Sequence, residues 1–210
     1  MLLNKIDIIK VFEILNEYYK DLKDTELEYI NPYTLLVAVV LSAQATDKGV
    51  NKATKELFEI VKTPEDMIKL GEEKLKTYIK TINYYNTKAK NIILLSEKLI
   101  KSYNSEIPNT REDLMCLNGV GRKTANIILN TVFNIPSIAV DTHVFRVSNR
   151  IGLVKADNVL DTEKQLEKRV PKKYHNAINK FLVLFGRYIC KAKNPDCNNC
   201  PIKDICKKNV

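Results

Sequence analysis

The stretch "LNGVGRKTANIILN" (residues 117–130) decides how the rest of this chain is read. Gly119 and Gly121 flank Val120, and Arg122 and Lys123 then open an apolar run with helical period. One helix enters the turn from about Thr110 and a second leaves it. The glycines open backbone geometries that a Cβ hinders, and they expose N–H groups at a helix start. Successive exposed N–H groups there make an anion site, which a DNA phosphate fits without any base being read. An ordinary helical hairpin turn has the same "GVG". The two cations are harder to explain, because a helix N-terminus is itself electropositive. Such a site, with Arg122 alongside, disfavours an ammonium ion. A lysine amine freed of its proton is a nucleophile, able to displace a leaving group or form a Schiff base. The plainer role of Lys123 is a phosphate contact or a solvent-facing charge.

Outward from this turn, helical period dominates. Val50, Ala53, Thr54, Leu57, Phe58 and Val61 follow the spacing of one buried face, as do Phe12, Leu15 and Tyr19. Asn31-Pro32, Thr63-Pro64 and Thr110 ahead of Asp113 have the pattern of helix starts. "YTLLVAVVLSA" (33–43) is apolar on all sides, as a helix buried on every face must be. No sustained strand alternation is present, and "NIPSIAVD" (134–141) reads as a short extended link. The expected fold is all-α, with about ten helices and any domain boundary near 134–140.

The net charge of +9 favours a polyanionic partner, although lysine-rich composition also serves solubility. The longest aliphatic run, Leu35 to Leu41, is too short to span a membrane. The N-terminal "MLLNKIDIIK" lacks the layout of a signal peptide, so we expect a soluble, cytoplasmic protein with no membrane partner. Cys190, Cys197, Cys200 and Cys206 have the spacing C-x6-C-x2-C-x5-C. Four thiolates at that spacing suit tetrahedral zinc or a [4Fe–4S] cluster. Cys116 lies outside this set and reads as a buried small apolar residue. From Arg187 to Val210 six cations face two acids. A rigid metal loop carrying Lys191 and Lys193 would present both to phosphates; a solvated basic tail has the same composition.

"LNGVGRKTANIILN" followed by "AVDTHVFRVSNRIG" (139–152) resembles the helix-hairpin-helix DNA glycosylases, in the branch that carries an iron–sulfur cluster. "LLVAVVLSAQATDKGVNKAT" (35–54), "YIKTINYYNTKAKNI" (78–92) and "LFGRYICKAKNPDC" (184–197) extend the resemblance over nearly the whole chain. It implies two compact helical domains, 25–135 with the helix-hairpin-helix and 1–24 with 136–210, with DNA in the cleft between them. It implies that the four cysteines hold a [4Fe–4S] cluster. Lys123 falls on the lysine that attacks the sugar C1′, and Asp141 on the family's carboxylate. An aspartate there can stabilise an oxocarbenium-like sugar and help move protons. Asp141 also suits an N-cap. His143, two residues on, reads as structural.

The resemblance further assigns the backbone of Gly119, Val120 and Gly121, together with Arg122, to DNA phosphates. It makes Gln44 the residue that enters the space left by a flipped nucleotide; otherwise Gln44 is a polar helix end. The second filler falls on Tyr84. The family has glycine and then leucine or phenylalanine here, whereas this chain has Asn83 and Tyr84, with Asn83 the residue expected to take the sharp turn and Tyr85 to pack inward. Asn118 departs from the usual proline. The implied function is a monomeric bifunctional DNA glycosylase and abasic-site lyase. Its expected partner is double-stranded DNA holding oxidised pyrimidines or abasic sites, and in a bacterium it would be nucleoid-associated. The competing readings are a mismatch thymine or pyrimidine-dimer glycosylase, and a noncatalytic DNA-binding or redox-sensing iron–sulfur protein.

Overall fold

Asn31 shows how sequence becomes architecture here. Its side chain accepts the Thr34 N–H (3.0 Å), while the Thr34 hydroxyl accepts the Asn31 N–H (2.9 Å). This capping box and Pro32 in the first turn start a helix in which every residue from Tyr33 to Leu41 is buried. A helix apolar all round has no solvent face and becomes the centre of a core. Tyr33 carries the one phenol on it, and that hydroxyl meets Ser96 Oγ at 2.7 Å, so burial leaves it satisfied.

The computed structural model describes residues 1–19 and 25–209. Among them are twelve α-helices and no strand. In chain order these are α1 (Lys5–Tyr19), α2 (Pro32–Ser42), α3 (Asp47–Thr54), α4 (Leu57–Ile60), α5 (Pro64–Leu70) and α6 (Glu72–Ile79). There follow α7 (Tyr85–Tyr103), α8 (Arg111–Met115), α9 (Arg122–Phe133), α10 (Thr142–Ile151), α11 (Val159–Arg169) and α12 (His175–Tyr188). The fold is all-α. The buried face running from Val50 to Val61 spans two helices rather than one, because α3 stops at Thr54 and α4 restarts at Leu57.

The described residues fall into two compact units, one within Met1–Asp24 and Asn134–Val210, the other Thr25–Phe133. In the second, α3, α7 and α9 pack on α2. Leu36, Leu41, Leu57, Met67, Leu75, Ile79, Ile92 and Leu95 are all but inaccessible to solvent, each burial contributing about 1.5–3 kcal/mol before entropy is charged against it. The first unit has its own core, in which Ile8, Phe12 and Leu15 of α1 meet Val144, Val147 and Ile151 of α10 and Ile178, Phe181 and Phe185 of α12. Arg169 ties the chain start to it, donating to Leu3 O and Leu153 O at 2.7 Å each.

Candidate functional site

The glycine turn is built from both sides. Thr110 caps α8, its hydroxyl accepting the Asp113 N–H at 3.1 Å, and Arg111 Nε reaches Asn126 Oδ1 of α9 at 2.8 Å. Leu117 and Val120 turn inward to the core. Gly119 sits at φ +78°, and a Cβ there would lie 3.2 Å from Asn91 Cβ and 3.3 Å from Val40 Cγ1. Gly121 differs: its φ is not positive, and a Cβ would meet nothing within 4 Å. Neither a positive φ nor internal packing requires a glycine at 121, which stands directly before α9, where glycine is a favoured cap. Val120 departs from expectation. Its N–H donates to Leu117 O (3.1 Å) and its side chain is buried, so it closes the turn from inside rather than offering a donor outward. Gly119 and Gly121 are exposed. The first turn of α9 presents Lys123 at the surface and Arg122 half-buried, while Ala125, Asn126, Ile128 and Leu129 face inward.

Cys116 is exposed, contrary to the expectation from its neighbours. It is the C-cap of α8, one position off the inward stripe of Leu114 and Leu117, and its carbonyl accepts from Lys98 Nζ (2.9 Å).

Gln44 and Tyr84 are both exposed, Tyr84 by 68%. Both take left-handed backbone, φ +56° and +59°. Tyr84, not Asn83, therefore makes the sharp turn. Asn83 uses its amide instead, Nδ2 donating to Gln44 O at 3.0 Å. Tyr85 is half-buried against the core.

Asp141 caps α10. Its Oδ1 accepts the N–H groups of His143 (2.9 Å) and Val144 (2.8 Å), which fixes the carboxylate at the helix start. His143 packs behind it, with Nδ1 3.3 Å from Arg146 Nη2. Burial pushes its pKa below the ordinary histidine value, and the Arg146 and Arg187 charges oppose the attraction of Asp141. The imidazole is a packing element of α10, two residues beyond its N-cap.

Further along α10, Arg146 donates to Gly186 O (2.9 Å) and Cys190 O (3.1 Å), and Arg150 to Lys191 O (2.8 Å). These arginines hold the start of the cysteine loop. Cys190, Cys197, Cys200 and Cys206 line one pocket, together with Phe185, Ile189 and Arg150. The thiols surround this space; among the described residues no three ligand side chains are gathered as a single ion needs. Burial pushes the Cys200 and Cys206 thiols up, and the other cysteines of the set add to it. Thiols so crowded are stabilised as thiolates by a bound cation. Arg150 Nη1 approaches Cys190 Sγ (3.7 Å) and the Lys208 N–H approaches Cys206 Sγ (3.4 Å), donors of the kind that surround cluster sulfurs. Lys191 and Lys193 are exposed beside them.

Comparison with known proteins bears on both halves of this arrangement. Residues 37–172 match the HhH-GPD superfamily base excision DNA repair protein, and residues 190–206 match the iron-sulfur binding domain of endonuclease III. The chain is 54% identical over 198 residues to endonuclease III of Rickettsia prowazekii (strain Madrid E), covering 94% of this chain and 93% of the relative. To endonuclease III of Escherichia coli (strain K12) it is 50% identical over 183 residues, 87% of each. The chain belongs to the endonuclease III family.

A solved structure of a trapped endonuclease III–DNA covalent intermediate superposes with a TM-score of 0.91 at 45% identity, covering 99% of this chain and 97% of that one. The protein is therefore a base-excision repair enzyme, a bifunctional DNA glycosylase and abasic-site lyase, and its cofactor is a [4Fe–4S] cluster. The thiol-lined cavity fits that cofactor. Among the described residues no helix is long and apolar enough to cross a membrane.

Two features of this chain's fold are not among the motifs read from its sequence. Arg146 and Arg150 recur four apart on α10, a spacing that puts both on one side of the helix. Lys88 interrupts the buried stripe of α7 four residues before Ile92, and a lysine on an apolar stripe is the signal that would have found it.

Proposed function

We propose that this enzyme removes oxidised pyrimidines from duplex DNA and cuts the strand 3′ to the abasic site, with Lys123 as nucleophile. The observation that carries the reading is Lys123 itself: an exposed amine in the first turn of α9, two residues after an exposed glycine around which a Cβ would meet open space. Its relative captured as a covalent DNA intermediate shares 45% of the sequence.

In this reading Lys123 Nζ bonds to the sugar C1′ as the C1′–N bond of the damaged base breaks, and the base leaves with the bonding pair and takes up a proton. The sugar ring opens as the amine gives up its proton, which leaves a Schiff base. Loss of a C2′ proton then sends an electron pair toward C3′ and expels the 3′ phosphate. Water returns the amine. Asp141 offsets the positive charge that builds at C1′ and helps move protons. Its N-cap bonds hold the carboxylate in one orientation throughout.

C1′ is reached only after the nucleotide leaves the stack. Gln44 and Tyr84 fill the gap, while Gly119, Gly121, Arg122, Lys191 and Lys193 hold phosphates. Cys190, Cys197, Cys200 and Cys206 ligate the cluster, whose part is to crosslink the loop bearing Lys191 and Lys193. The enzyme acts as a monomer in the compartment that holds the genome, the cytoplasm of a bacterium. Incubation with duplex DNA containing thymine glycol should yield cleaved strand and free base. A duplex carrying an abasic site that is cut, beside a thymine glycol duplex that is not, would remove oxidised pyrimidines from the proposal.

A further inference from the structure

Gln44 and Tyr84 are non-glycine residues in left-handed backbone. Such conformations are strained for residues with a Cβ and persist only where surrounding contacts over-determine them. The contacts that do so here converge on Lys88. It is 7% exposed, and its Nζ donates to Leu41 O (2.8 Å) and Ala43 O (2.5 Å), at the C-terminal end of α2 directly before Gln44. A cation suits that place, because the last carbonyls of a helix have no partners along the chain and carry its negative pole. The backbone N–H of the same residue donates to Tyr84 O (3.0 Å). That bond is the first helical bond of α7, which any residue here would make, and it sets Tyr84 one turn ahead of the Lys88 side chain. The side chain itself grips the segment before Gln44, and Asn83 adds a further tie, to Gln44 O.

We propose that Lys88 is a positioning residue that sets the two gap-filling side chains, Gln44 and Tyr84, in register with each other. This rests on the reading of those two as gap fillers. A buried lysine is an expensive way to fill space, since Met or Leu would pack α7 on α2 without carrying a charge out of water. Its use is to bind two carbonyls that an apolar side chain would leave unpaired. Displacing fillers by even an ångström lowers productive engagement of duplex DNA without touching the groups that break bonds.

The test is a set of steady-state rates on a duplex containing one abasic site. Lys88→Met should raise KM by roughly tenfold to a hundredfold while kcat changes by less than about threefold. Combined with Gln44→Ala and Tyr84→Ala, Lys88→Met should add little, because its effect runs through those side chains. A factor that multiplies through unchanged in the combined variant, or no change in KM, overturns the proposal. If Gln44→Ala and Tyr84→Ala alone leave KM unchanged, it is the gap-filler reading that fails, and this inference with it. Should Lys88→Met not fold, the exposed Asn83→Ala variant runs the same cycle. It must raise KM in the intact background and not in the Gln44→Ala one, and any other pattern overturns the proposal.

Discussion

Replacing each turn glycine by alanine separates what the fold needs from what DNA needs. At Gly119 the φ of +78° costs an L-residue about 1–2 kcal/mol. The new Cβ also comes within 3.2–3.3 Å of Asn91 and of Val40 Cγ1, and Val40 belongs to the central helix and cannot easily yield. Overpacking of that kind adds about 1–3 kcal/mol. At roughly 2–4 °C per kcal/mol for a chain of this size, Gly119→Ala should lower Tm by about 4–20 °C. At Gly121 the new Cβ enters open space, and the cost is that of alanine for glycine at a helix start, about 1 kcal/mol or less. Tm should move by no more than about 4 °C. DNA affinity should nevertheless drop if, as proposed, a phosphate approaches the turn where that Cβ stands. Differential scanning fluorimetry and anisotropy titration with a duplex containing an abasic-site analogue measure both. Full DNA affinity in a folded Gly121→Ala variant would refute the turn as a phosphate seat.

Asp141→Asn keeps an N-cap, so it should melt within a few degrees of the parent yet excise thymine glycol far more slowly, which single-turnover base release will measure. Cys200→Ser should reduce the iron content and the brown colour of protein purified without oxygen, and should weaken DNA binding through the loop of Lys191 and Lys193. Acid stability tests His143. Its folded pKa is depressed, so between the ordinary value near 6.5 and the lower folded value the unfolded chain binds the extra proton. The wild type therefore loses stability as pH falls through that window, and His143→Gln should show a flatter urea-midpoint profile from pH 6.5 downward.

Much of this was legible because local signals and tertiary demand agreed. The run from Tyr33 to Leu41 has no polar face to give to water, and Asn31-Pro32 marks its start, so a central helix was the one outcome open to it. Asp141 was readable as a cap for the same reason: an acidic residue stood directly before an amphipathic run. The Asn83-Tyr84 turn was misread because propensity favours asparagine in left-handed backbone. The bond from Asn83 to Gln44 O, 39 residues away in sequence, commits the asparagine elsewhere and passes the strain to the tyrosine. Cys116 was misplaced because five residues of α8 are too few for periodicity to separate the inward positions from the next one. Lys88 stayed hidden because its partners are carbonyls, which no side-chain motif records.

The nucleophile is the central claim, and borohydride tests it most directly. Reduction of the enzyme on a duplex containing an abasic site should trap a covalent protein–DNA adduct, with the modification on the peptide that contains Lys123. Lys123→Gln should bind the same duplex, yield no adduct and leave the strand uncut. An adduct formed in undiminished yield by the Lys123→Gln enzyme would contradict the account, because the amine that attacks C1′ would then lie elsewhere in the chain.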